Sequence, residues 1–174
     1  MCEDNRLSGL VAKMRKLWEL LAVIGMVGAD QGLKIWAEKV LSQKEYIPII
    51  ENVFHLIYTE NTGAAFSLFD GQKWFLIVIV SVIMIVLGYV LIRDKVKDGL
   101  LRAGLIMAAG GGIGNLIDRI FRGFVVDYLY FKPINFPVFN LADVFITVGA
   151  GLMLLYIIRD TVKEIKAKRT GQGG

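Results

Sequence analysis

Three stretches of this 174-residue chain carry polar side chains at spacings that could do chemistry. Asp30 and Lys34 stand one helical turn apart; Asn115, Asp118 and Arg119 share helical spacing, with Asp127 a little beyond; Asn140, Asp143 and Thr147 fall on one helix face. Two of the carboxylates can work together. An Asp at the start of the last apolar segment, Asp143, and another after the third, Asp127, can face each other across a small wet pocket. Two carboxyls a few ångström apart do not both ionise easily, so such a pair shares one proton near neutral pH. One member then acts as base toward a water while the other, protonated, hydrogen-bonds to the carbonyl under attack. A helix dipole at Asp143 favours its ionised form, which leaves the resting proton on Asp127.

Few other chemistries are open to the chain. One Cys, Cys2, excludes an intrachain disulfide and a thiolate cluster, and one His, His55, excludes His-rich zinc sites and a two-histidine mechanism. Cys2 lies among charged residues and reads as a free terminal thiol, His55 as a packed or interfacial residue. No metal and no cofactor is expected.

The elements that must position these groups belong to a membrane. Hydrophobic residues make up 55% of the chain, only 21% are charged, and the mean hydropathy is +0.56. Residues 74–92 run without a charge, long enough as a helix to cross the roughly 30 Å hydrocarbon core of a bilayer. These features exclude an ordinary soluble globule. Apolar segments at about 17–36, 74–92, 100–118 and 141–158 predict an all-α membrane protein, a four-transmembrane-helix bundle forming one membrane domain over 1–174. Gly104, Gly110, Gly149 and Gly151 are expected to let the helices approach closely, and Arg102 to snorkel at a helix end. The first segment is followed by Asp30, Gln31 and Lys34 rather than by a small-residue cleavage site, and is expected to be retained.

Between the spans, residues 37–73 form a loop whose stretch 46–69 mixes β-branched, aromatic and turn-forming residues and predicts short strands, a small extracytoplasmic β-like loop domain. Residues 120–139 are aromatic and contain two Pro, which predicts an interfacial segment along the membrane surface. Thirteen of the 20 basic residues gather before the first span, between the second and third, and after the fourth. By the positive-inside rule both termini are then cytoplasmic and the polar cluster lies at the outer face. The same placement reads the net charge of +4 as an orientation signal, with no nucleic-acid partner.

Each polar group also has a plain structural reading. Asp30 with Lys34 is an ion pair at a helix end; Asp118 with Arg119 is a structural pair or a cap; Asn140 is an N-cap with Asp143 at the third helical position; Asn61-Thr62-Gly63 is a turn.

The ordered motifs Asp30-Gln31-Gly32-Leu33-Lys34, ENTGAAFSL at 60–68, GGGIGNLIDR at 110–119, GFVVDYLYF at 123–131 and FNLADVFI at 139–146 resemble those of lipoprotein signal peptidases, the bacterial membrane aspartic peptidases also called signal peptidase II. The resemblance covers about residues 15–160. It implies an endopeptidase of the bacterial cytoplasmic (inner) membrane that removes the signal peptide from a diacylglyceryl-modified prolipoprotein, N-terminal to the lipidated cysteine, and acts as a monomer among membrane lipid. It implies Asp127 and Asp143 as the catalytic pair, with Asn61 and Gly63 near the substrate, Asn115 and Arg119 beside the pair, Asn140 positioning the last helix, and Asp30 with Lys34 holding the outer end of the first. Gly63, Ala64 and Ala65 leave room for chain or lipid to approach. Gly112 and Val144 depart from the residues frequent in the family, and the KPINFPV stretch is short. Two other readings compete: a small proton-coupled transporter with intramembrane carboxylates, and Ser/Lys hydrolysis through Ser67 or Ser81.

Overall fold

The computed structural model describes residues 2–63, 69, 71–169 and 171, with the side chains of 2–6 and 8 outside that description. Its elements run α1 (Cys2–Val40), β1 (Ile47–Ile50), β2 (Phe54–Asn61), α2 (Lys73–Ile92), α3 (Gly99–Phe121), β3 (Val125–Phe131) and α4 (Leu141–Arg169), with a 3-10 turn at Lys132–Ile134. All four helices are long and apolar enough to cross a membrane. The chain is a multi-pass membrane protein: a four-helix bundle with a small antiparallel sheet at one end. Ser67, Ala64 and Ala65 lie outside the described residues, as does the side chain of Cys2.

Two helices outrun their apolar cores. α1 has 39 residues, about 58 Å at 1.5 Å per residue, and α4 has 29. Hydropathy marks only where lipid touches a helix, whereas backbone hydrogen bonds carry it on into water. Glu19, which interrupts the first apolar run, is also no break, because it accepts a charged hydrogen bond from Arg102.

α3 is the hub of the bundle, and glycine is why. Gly104 of α3 and Gly149 of α4 face each other so closely that a Cβ on either would sit 2.7 Å from the other's carbonyl oxygen. Gly110 admits Met26 of α1 and Gly112 admits Met84 of α2, so one helix receives neighbours on three sides. Gly151 does not take part: a Cβ there would meet open space. α2 is the peripheral span, with Leu76 its one buried residue.

Arg102 does not snorkel. It is 6% exposed, and its guanidinium donates to Glu19 Oε2 at 2.7 Å, Asp94 Oδ1 at 2.7 Å and the Val96 carbonyl at 3.0 Å. Arg15 also reaches Asp94, and Arg159 reaches Asp98. Carboxylates at its own depth on α1 and the α2–α3 connection hold Arg102 inward, and the network ties the four helices together at the end away from the sheet.

The sheet has strand order β1-β2-β3, antiparallel throughout. The aromatic 120–139 stretch therefore supplies a third strand in its first half, beyond an interfacial role. Val125 to Tyr128 are buried, and Val126 and Tyr128 pack with Ala37 of α1 and Leu41 just after it. His55 stacks on Tyr46 at 4.9 Å between ring centroids and meets Tyr130 edge-on.

Beneath this layer lies a buried cation. Lys34 is fully enclosed and its ammonium reaches Asp30 Oδ2 at 2.8 Å, Asp118 Oδ2 at 3.0 Å and Asn115 Oδ1 at 2.8 Å, one partner for each of its three donors. Asp30 also accepts from the Ala142 amide at 2.9 Å, and Asp118 from the Val126 amide at 3.2 Å. α1, α3, β3 and α4 thus converge on one ion cluster.

Two consequences can be measured. Lys34→Met leaves Asp30 buried without a cation and Asp118 with Arg122 alone, and should lower stability by about 3–5 kcal/mol; thermal unfolding in detergent at the wild-type melting point would contradict that role. Gly149→Val should force α3 and α4 apart at a cost of about 1–3 kcal/mol, whereas Gly151→Val should be nearly neutral in the same assay.

Candidate active site

The last helix begins on a reciprocal cap. Asn140 Oδ1 accepts from the Asp143 amide at 3.0 Å, and Asp143 Oδ2 accepts from the Asn140 amide at 3.1 Å. The plain reading of these two residues as a cap is correct, and it is also what makes the site. Capping consumes the Asn140 carbonyl oxygen and leaves its Nδ2 to donate elsewhere, to Asp127 Oδ1 at 2.6 Å and Asn115 Oδ1 at 3.1 Å.

Asp127 arrives from the sheet. It lies opposite Thr59 in the β2–β3 register, and its Oδ2 accepts from Asn61 Nδ2 at 2.9 Å. Asn61 is itself fixed by a turn, its Oδ1 accepting from the Gly63 amide at 3.0 Å. On the other side Asn115 Nδ2 donates to Asp143 Oδ1 at 2.8 Å. All four carboxylate oxygens of Asp127 and Asp143 therefore accept a hydrogen bond from a neutral amide, and Asn140 bonds to both residues.

Asp127 is 2% exposed. Burial pushes its carboxyl up to about 7, and the neighbouring Asp143 pushes the same way; the amides of Asn61 and Asn140 and the charge of Lys34 pull back without cancelling the rise. A carboxyl titrating there is protonated for part of the time near neutral pH.

Asp118 and Arg119 do not pair with each other. Adjacent residues on a helix point about 100° apart, so Asp118 turns inward to Lys34 and to Arg122, while Arg119 turns to the site and donates to the Gly63 carbonyl at 2.8 Å and the Asn115 carbonyl at 3.3 Å. Gly63 thus joins the site through its backbone. Asp30 and Lys34 do not line the cavity; they stand behind it and reach it through Asn115.

The pair opens into a cavity of about 970 Å³. One wall is the sheet edge at Thr59 to Thr62, another the Phe136–Phe139 segment, and the floor runs down α4 through Val144, Thr147 and Val148. Gln31 and Arg122 are support residues to which the sequence reading gives no role: Gln31 Nε2 donates to Asp118 Oδ1 and to the Gly114 carbonyl, each at 3.1 Å. Gln31 lies inside the first motif, so its neighbours were the available signal. For Arg122 the available signal was its i, i+4 spacing from Asp118.

This geometry agrees with what the chain is similar to. A family model described as signal peptidase (SPase) II matches residues 22–159. A lipoprotein signal peptidase of Clostridioides difficile (strain 630) is 42% identical over 139 residues, covering 80% of this chain and 93% of that protein. One from Brevibacillus brevis is 40% identical over 148 residues, covering 85% and 99%. A solved bacterial membrane enzyme, determined by the in meso method at 2.3 Å resolution, superposes with a TM-score of 0.77 at 28% identity, over 82% of this chain and 88% of that one. With four membrane-length helices, a capped aspartate on the last of them and a match across most of its length, the chain belongs to the signal peptidase II family and is a peptidase.

Proposed function

We propose that the chain is a membrane aspartic endopeptidase that removes the signal peptide of diacylglyceryl-modified prolipoproteins, cutting on the N-terminal side of the lipidated cysteine, with Asp127 and Asp143 as its catalytic pair. The observation that carries this reading is the Asn140 bridge: one capping residue holds two carboxylates from different elements, β3 and α4, at the mouth of a cavity that runs along a membrane helix.

Asp143 is the base. It takes a proton from a water as the water oxygen bonds to the scissile carbonyl carbon, while protonated Asp127 gives its proton to the carbonyl oxygen. In the second step the C–N bond breaks, Asp143 passes its proton to the leaving amine, and Asp127 recovers a proton from the gem-diol. One water is consumed and both carboxyls return to their starting states. Asn61, Asn115 and Asn140 keep the two side chains aimed, Arg119 holds the 61–63 turn over them, and Asp30 with Lys34 sets the depth of α1 against α3.

Orientation follows from charge. The Arg15, Arg102 and Arg159 network marks one end of the bundle and the sheet with the aspartates the other, so the positive-inside rule puts both termini in the cytoplasm and the site at the outer face of the bacterial inner membrane. A substrate anchored by its acyl chains then meets the site from within the outer leaflet. A proton-coupled transporter is not favoured by the family match.

Purified Asp127→Asn and Asp143→Asn variants should each lose about 10² to 10⁴ in kcat on a lipidated precursor peptide, with melting points close to wild type. Near-normal turnover by either would remove it from the pair, and equal cleavage of lipidated and unlipidated peptide would remove the substrate assignment. The pH dependence has a defined sign: the proton that Asp127 must donate is lost as pH rises through about 7, so kcat/KM should fall on the alkaline side of that value. A profile still rising from pH 7 to 9 would contradict the assignment.

A further inference from the structure

The polar groups lining the cavity gather at one level, on the sheet edge and around the aspartates, with one exception. Thr147 stands one helical turn beyond Asp143 on α4, about 6 Å deeper along the helix, on the membrane side of the pair. Its neighbours on that wall, Val144, Ile146 and Val148, are aliphatic. Among the described lining residues it is the one hydroxyl in the apolar part of the cavity.

A hydroxyl facing hydrocarbon needs a partner. A helical Thr can rest on the carbonyl four residues earlier, so the position is tolerable without ligand, and the group can donate when an acceptor arrives. Peptide approaching the aspartates brings its acceptors to their level. On the membrane side the lipidated cysteine offers acceptors of its own: a diacylglyceryl thioether carries two ester carbonyls, joined to the scissile nitrogen through Cα, Cβ, sulfur and the glyceryl carbons. That flexible linkage spans the one-turn step from Asp143 to Thr147.

We propose that Thr147 is a specificity residue that donates a hydrogen bond from its hydroxyl to an ester carbonyl of the substrate's acylglyceryl group, seating the lipidated cysteine against the aspartate pair. The proposal rests on the lipoprotein-processing reading above and adds to it a chemical requirement: the enzyme reads the ester as well as the apolar bulk of the lipid. The contact lies away from the reacting atoms and is equally strong before and during reaction, so it acts on KM more than on kcat.

The test crosses two substrates with three proteins. One precursor peptide carries an S-diacylglyceryl cysteine; the other carries the dialkylglyceryl ether, equal in apolar bulk and lacking the carbonyls. Wild-type protein should prefer the ester by about three- to tenfold in kcat/KM, the size of one net hydrogen bond. Thr147→Val, nearly isosteric, should erase the preference by raising KM for the ester alone, and Thr147→Ser should keep it. Equal losses on both substrates in Thr147→Val, or an ester preference that survives in it, would overturn the proposal, as would a wild-type protein indifferent to the two. Wild-type protein that cleaves neither peptide would overturn the lipoprotein-processing reading itself and the proposal with it. Cleavage of both with no preference defeats only the role of Thr147.

Discussion

The structure depends on one buried cation. An ammonium enclosed at the end of a membrane bundle is costly unless each donor finds an acceptor and its charge is met. Lys34 meets these conditions only when α1, α3 and the start of α4 are at fixed heights, because Asp30 must reach it from one turn away on α1 and also hold the Ala142 amide, while Asp118 must reach it from α3 and hold the Val126 amide. No sliding or rotation of a single helix preserves the set. Apolar packing in lipid specifies register weakly, since lipid tails are as apolar as the helices; the ion cluster and the Gly104–Gly149 approach supply what packing does not.

The cluster transmits this register to the site through two contacts. Asn115 takes one Lys34 donor on its carbonyl oxygen and so turns its amide nitrogen to Asp143. The Val126 amide on Asp118 sets the height of β3 one residue before Asp127. Placement of the aspartates is therefore a consequence of the ion pair behind them, although neither aspartate touches Lys34.

Much of this was legible in the chain. Charge-free runs show where lipid must be, and the i, i+3 and i, i+4 spacings show which polar residues share a helix face, so the spans and the gathering of polar groups at one end of the bundle follow from sequence. What sequence could not supply is partner choice. Helical spacing offers Asp118 the cation of Arg122 at i, i+4, but only the packed bundle brings it Lys34 from α1 and turns Arg119 away to Gly63. Arg102 reads as a surface cation until Glu19 and Asp94 are found at its own depth. The third strand was hidden for a similar reason: the aromatic residues of 120–139 suit a membrane surface as well as a sheet, and its pairing partner, β2, lies 64 residues earlier, as from Asn61 to Val125.

The same partner choices decide the chemistry of the pair. Two cations stand close to the aspartates, and a direct salt bridge from either would hold Asp127 ionised and remove the shared proton. Lys34 is already met by Asp30 and Asp118, and only the neutral amide of Asn115 lies between it and Asp143. Arg119 lines the cavity, yet its two terminal nitrogens donate to the carbonyls of Asn115 and Gly63 and to neither aspartate. The groups that do touch the carboxylates are amides, which orient an oxygen while stabilising its charge far less than a cation would. Burial then outweighs them, and Asp127 titrates near 7 rather than in the usual carboxylate range. The proposed active site, beside a lysine and an arginine, thus favours a protonated aspartate by presenting it with asparagine.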